Sequence, residues 1–128
     1  MNIIVEDNLT QHHLPGRIIK KAVGLDGASH SSRMTMGFAC YCECCGKMEP
    51  HHHAEEIVYV LSSKEGYFRY GPTVEELGER LRLEPGTIIH FSELEWHVFE
   101  YDEGGSIEII YFYGQVDNIR PEEIFKKV

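Results

Sequence analysis

Three consecutive histidines, His51-His52-His53, are the residues of this chain best placed to do chemistry. They follow Met48-Glu49-Pro50 and lead through Ala54-Glu55-Glu56 into the apolar, β-branched run Ile57-Val58-Tyr59-Val60-Leu61. In an extended segment successive side chains point to opposite faces, so His51 and His53 share one face and His52 takes the other. Far along the chain His97 opens a further apolar run. Two neighbouring imidazoles, a carboxylate from the adjoining strand and one distant imidazole can converge on a cation. Imidazole suits zinc, iron, nickel and copper, and a carboxylate widens the choice to manganese. The expected ligands are His51, His53, Glu56 and His97. Glu55 is the alternative carboxylate, and Glu49 follows if the register shifts so that His53 falls in the turn.

A centre of this kind leaves coordination positions open. It can polarise a substrate oxygen, activate water, or bind dioxygen through a redox metal. Arg69 is a candidate to anchor a substrate carboxylate by a bidentate contact, and His90 is a candidate general base. Tyr59, Tyr67, Trp96, Tyr111 and Tyr113 are further candidate contacts, although Tyr59 points outward if Glu56 points inward. Each has a plainer reading beside it. Arg69 can pair with surface acids, His90 can be a satisfied barrel histidine, and the aromatics can simply fill the core. His12-His13 reads as a solvated pair.

Positioning these residues requires a sheet. Arg33 to Cys42, the histidine segment, Glu56 to Leu61, Tyr67 to Gly71, Glu79 to Leu83, Thr87 to Phe91, Trp96 to Tyr101 and Ser106 to Tyr113 all read as strands. Arg17 to Val23 fits a strand or a short helix by pattern alone. Ala54-Glu55 is read as a brief turn, and Ser62 to Gly66 and Asp102 to Gly105 as hairpin connections. Pro72 to Gly78 suits one helical turn with Thr73 and Glu76 as a capping box. Pro121 to Lys127 suits a short closing helix, with proline at its first position and lysines at its end. Many short strands with close turns describe an all-β antiparallel sandwich or barrel.

His-x-His, a glutamate and an apolar strand, followed by Glu84-Pro85-Gly86, the run Thr87-Ile88-Ile89-His90-Phe91 and then His97, resemble the two motifs of the cupins. The order and the Gly86-to-His97 interval are those of the family, and the resemblance covers roughly the middle half of the chain. It implies one cupin domain over residues 1–128, an antiparallel jelly-roll β-barrel whose core lies at about 30–114. It also implies a divalent transition metal inside (Fe, Mn, Ni, Zn or Cu) and a homodimer in which the leading strand pairs across subunits. The implied function is that of a metal-dependent enzyme acting on a small oxygen-rich substrate, an organic acid or sugar derivative. Dioxygenase, lyase, decarboxylase and isomerase chemistry are all open to it. The alternative is a non-catalytic cupin that senses a ligand or holds a structural metal.

Composition bounds the rest. A chain of 128 residues has the size of one domain. A formal charge of −9 argues against a nucleic-acid surface and against anionic membranes. No apolar run reaches transmembrane length, and Met1-Asn2-Ile3-Ile4-Val5-Glu6-Asp7 lacks the basic start of a signal peptide, so a cytoplasmic protein is expected. In that compartment Cys40, Cys42, Cys44 and Cys45 are expected to stay reduced. Cys40, Cys42 and Cys44 alternate, as small apolar groups lining the barrel interior would. Cys42-x-x-Cys45 has no second pair to complete a zinc site, so packing is the preferred reading over a redox or accessory metal role.

Overall fold

The computed structural model describes residues 1–114. The strands are β1 (Gln11–Leu14), β2 (Arg17–Gly24), β3 (Ser29–His30), β4 (Thr35–Cys42), β5 (Glu56–Gly71), β6 (Leu81–Arg82), β7 (Ile88–Phe91) and β8 (Trp96–Tyr113). They form one eight-stranded sheet in the order β1-β2-β4-β8-β5-β6, with β3 beside β2 and β7 beside β5. Every pairing is antiparallel except the two-residue contact of β3 with β2. Three short 3-10 turns, Glu6–Asn8, Glu43–Cys45 and Val74–Glu76, are the helical content of the described residues. None of their helices is long and apolar enough to cross a membrane.

The core follows from alternation. Along β5, Glu56, Val58 and Val60 point inward while Ile57, Tyr59 and Leu61 point outward. Val58, Val60, Phe91, Val98, Ile107 and Ile109 are essentially closed to solvent, and burying each such side chain contributes about 1.5–3 kcal/mol. Phe91 lies beside Glu56 in the sheet, yet its ring meets that of Phe68, from the other half of β5, at 5.2 Å. The sheet therefore folds over onto itself around one interior.

That folding over explains where the expected hairpins went. Ser62 to Gly66 and Asp102 to Gly105 are not chain reversals. They sit opposite each other in the pairing of β5 with β8, which shifts register between Lys64 and Gly66. Glu65 and Gly104 take positive φ there. Because each long strand pairs with the other on both sides of this point, the turn-forming residues are absorbed as a shared bulge that bends both strands.

The histidine segment also differs from expectation. It is not a strand, but makes a single isolated bridge between His51 and His97. At residues 72–78 the turn is 3-10 only, without a side-chain cap on the backbone. Cys40 and Cys42 face outward from β4, because Ala39 and Tyr41 take the buried positions, and Cys42 is disulfide-bonded to Cys44. Cys40 and Cys45 carry free thiols. The closing helix expected at Pro121 to Lys127 lies outside the described residues.

Candidate metal centre

The His51–His97 bridge fixes the centre. The His51 N–H donates to the His97 carbonyl at 3.0 Å, and the His97 N–H donates back to His51 at 2.9 Å. This pair of hydrogen bonds locks the start of β8 to the loop before β5, so one residue of the histidine run stands beside a residue more than forty positions away. His53 completes the group. Ligand nitrogens of His51, His53 and His97 all lie within 4.8 Å of one another. His52 points elsewhere and packs edge-on against Trp96 at 4.0 Å.

Each ring is oriented by the same device. Nδ1 of His51 meets the Glu49 carbonyl at 3.2 Å, Nδ1 of His53 the Ala54 carbonyl at 3.0 Å, and Nδ1 of His97 the Glu95 carbonyl at 2.8 Å. A carbonyl only accepts, so Nδ1 carries the proton in each ring and Nε2 is left as the electron-pair donor. Such a backbone contact on the far nitrogen is the usual way a metal-binding imidazole is held in one tautomer. Three rings set alike suit a cation, and a borderline transition ion in particular. His97 is further clamped by Phe91, stacked on it at 4.0 Å, and is 1% exposed.

Glu56 borders this group. Its carboxylate lies 3.4 Å from His53 Nε2, and it is 6% exposed. Burial pushes its carboxyl up to about 8, and a hydrogen bond from Tyr113 partly offsets the rise. The Tyr113 hydroxyl, also 3.4 Å from His53 Nε2, is held well above its ordinary range by burial and by the Glu56 charge beside it. It is therefore a proton donor throughout the physiological range. Of the alternative carboxylates, Glu49 is exposed and contributes its carbonyl, not its side chain, to His51. Glu55 is exposed and pairs with His90.

The candidates for substrate contact separate into two groups. Tyr111 and Tyr113 line a cavity of about 210 Å³ that reaches His51, His53, Glu56 and His97. Burial pushes the Tyr111 hydroxyl up to about 12. Its ring crosses β4 at Gly37, where a Cβ would come within 2.5 Å of the hydroxyl and 2.6 Å of the Lys20 carbonyl, so glycine is what lets the ring lie there. Arg69 and His90 stand away from the cavity. Arg69 is on the outward side of β5, next to inward Phe68. It donates to the carbonyls of Gly78 at 2.9 Å and Leu77 at 3.4 Å, holding down the segment before β6. His90 is 62% exposed and bonds Glu55 at 2.6 Å. Tyr67 carries the Arg80 guanidinium on its ring at 3.8 Å, and Tyr59 lies on the outer surface.

Two cationic residues of the cavity were not anticipated. Arg17 and Lys21, from the face of β2 that also presents Ile19, line the same cavity. The signal was the i, i+2, i+4 spacing of Arg17, Ile19 and Lys21. It was unreadable while the opposite face, Ile18, Lys20 and Ala22, looked just as suited to the interior.

No protein-family model matches the chain, and no curated protein matches it in sequence. Solved structures do resemble it. A protein from Planctomyces limnophilus superposes with a TM-score of 0.70 at 15% identity, over 91% of each chain. The polyketide cyclase RemF from Streptomyces resistomycificus gives 0.67 at 17% identity, over 88% of this chain and 78% of that one. Fe(II)-HppE with the alternative substrate (S)-1-HPP gives 0.64 at 16% identity, over 88% of this chain and 60% of that one. At these identities the likeness concerns architecture, and with the nearly all-antiparallel sheet it shows that the chain has a cupin-like β-barrel fold.

Proposed function

We propose that this protein is a metal-dependent enzyme in which His51, His53 and His97 hold a divalent transition ion through Nε2, with Glu56 as the fourth ligand. The observation that carries this reading is the shared set of Nδ1-to-carbonyl contacts, which turns all three imidazoles into donors of one kind. The Fe(II) of HppE makes iron the first ion to test, ahead of manganese, nickel, zinc and copper. When bound, such an ion supplies Lewis-acid polarisation of a substrate oxygen or a seat for dioxygen.

The chain's own groups favour a small acidic substrate. The cavity lies below the roughly 300–1,000 Å³ of drug-sized sites. Arg17 and Lys21 line it as well; Lys21 is paired with Asp26, and the Arg17 guanidinium suits a carboxylate. Tyr113 holds a proton beside Glu56 and can donate it to a substrate oxygen, and Tyr111 offers a second hydroxyl. Room for a ligand next to the histidines favours an enzyme over a purely structural metal site, which is closed around its ion. Lyase, isomerase and dioxygenase chemistry share this layout. The outer face of β5 and its neighbours, rich in exposed apolar groups, supports a homodimer.

Elemental analysis of protein purified without chelator tests the reading. We expect about one transition ion per chain, and a sharp loss in His97→Ala with the far-ultraviolet dichroism of the sheet retained. Undiminished metal in that variant would refute the assignment.

A further inference from the structure

The cysteines gather outside the barrel, on the side of β4 away from the histidines. Cys42 ends β4, and the 3-10 turn Glu43–Cys45 brings Cys44 and Cys45 back beside it. The three sulfurs lie within 4.8 Å of one another. Cys45 Sγ is 4.0 Å from Cys42 Sγ and 3.6 Å from Cys44 Sγ. Two thiolates, each ~2.3 Å from one tetrahedral zinc, stand about 3.8 Å apart, so both spacings to Cys45 suit ligands of a common ion. The remaining pair is the Cys42–Cys44 disulfide.

The loop is pinned on all sides. The Tyr101 hydroxyl sits 2.8 Å from the Cys42 carbonyl oxygen and 2.9 Å from that of Gly46, donating between them. The Gly16 N–H donates to the Cys45 carbonyl at 2.8 Å, and the Gly104 N–H to the Glu43 carboxylate at 2.6 Å. A loop fastened to β8 and to the β1–β2 turn has little conformational freedom left to lose on binding. Cys40, free and half-buried on the same outward face, adds a fourth sulfur to this part of the surface.

We propose that Cys42, Cys44 and Cys45 form a redox-gated site for a soft or borderline metal ion, separate from the histidine centre. The site is closed while Cys42 and Cys44 share their disulfide and opens when a dithiol reduces it. In that step the dithiol gives up two electrons and two protons and closes to its own disulfide, while the Cys42–Cys44 bond breaks to two thiols. On binding, the three thiols release three protons to solvent and their sulfurs bond the ion. Thiolates select zinc, cadmium or Cu(I) over manganese or magnesium.

Cadmium(II) is the probe, because its bonds to thiolate give an ultraviolet charge-transfer absorption that imidazole ligands do not. The full chain, reduced with dithiothreitol and desalted without air, is titrated beside the untreated disulfide form. We expect one cadmium per chain with thiolate absorption in the reduced protein only. Cys45→Ser should weaken binding at least tenfold, and His97→Ala should leave the absorption intact. Absence of the band from reduced wild-type protein would overturn the site whatever the variants do. So would a band that persists in the Cys42→Ser/Cys45→Ser double variant, and equal binding by the disulfide form would overturn the gate.

Discussion

The Glu56 carboxylate lies 3.4 Å from His53 Nε2, although only a turn of two residues separates them in the chain. Both side chains are buried. Burial favours the protonated carboxyl, and a cation would reverse that preference by supplying the missing charge.

This gives stability a sign that pH can read. The Glu56 carboxyl rises from 4.5 to about 8 on folding, so its contribution is fully present below about 4.5 and is lost as pH climbs through about 8. Metal-free protein is expected to weaken by a few kcal/mol across that window, with Glu56→Gln flattening the slope. Denaturant unfolding of both proteins along the pH range measures it, and parallel slopes would show that Glu56 is not the cause. Metal affinity should rise over the same window, because the ion displaces that proton.

The two arginines should behave in opposite ways. Arg17 lines the cavity, so Arg17→Gln is expected to weaken binding of small carboxylates by about ten- to a hundredfold, as loss of a charged hydrogen bond does, with little change in melting temperature. Arg69 holds the Gly78 and Leu77 carbonyls, so Arg69→Ala is expected to cost about 1–2 kcal/mol of stability and leave carboxylate binding alone. Calorimetric titration and thermal melts of both variants decide, and the reverse pattern would return Arg69 to the site.

The outer face of β5 carries Ile57, Tyr59 and Leu61, flanked in the sheet by Ile88 and Phe112, all exposed. A contiguous apolar surface of this kind suits a second copy of the chain. Wild-type protein is expected to sediment as a dimer and Ile88→Glu, at a position 68% exposed, as a folded monomer. A monomeric wild type at micromolar concentration would remove this face from consideration.

Local pattern carried the strands that alternate cleanly. Val58 and Val60 on one side of Ile57 and Tyr59 were enough to turn Glu56 inward, whereas His51 and His53 come together without the strand that the alternation assumed. The interval from Gly86 to His97 pointed to the distant imidazole only through its resemblance to the cupin motifs. Local pattern was silent where both faces of a strand look alike, as with Arg17, Ile18, Ile19 and Lys20. It also misled where turn residues stand opposite one another, as at Glu65 and Gly104, since pairing along two long strands converts a reversal into a bulge. The carbonyl of Cys42 and the guanidinium of Arg69 found their partners through tertiary contact, the Tyr101 hydroxyl for one and the carbonyl of Gly78 for the other. Periodicity determines which residues travel together on a face. Which face meets the interior, and what waits there, is decided by the closing of the sheet, because only then does burial select one side over the other.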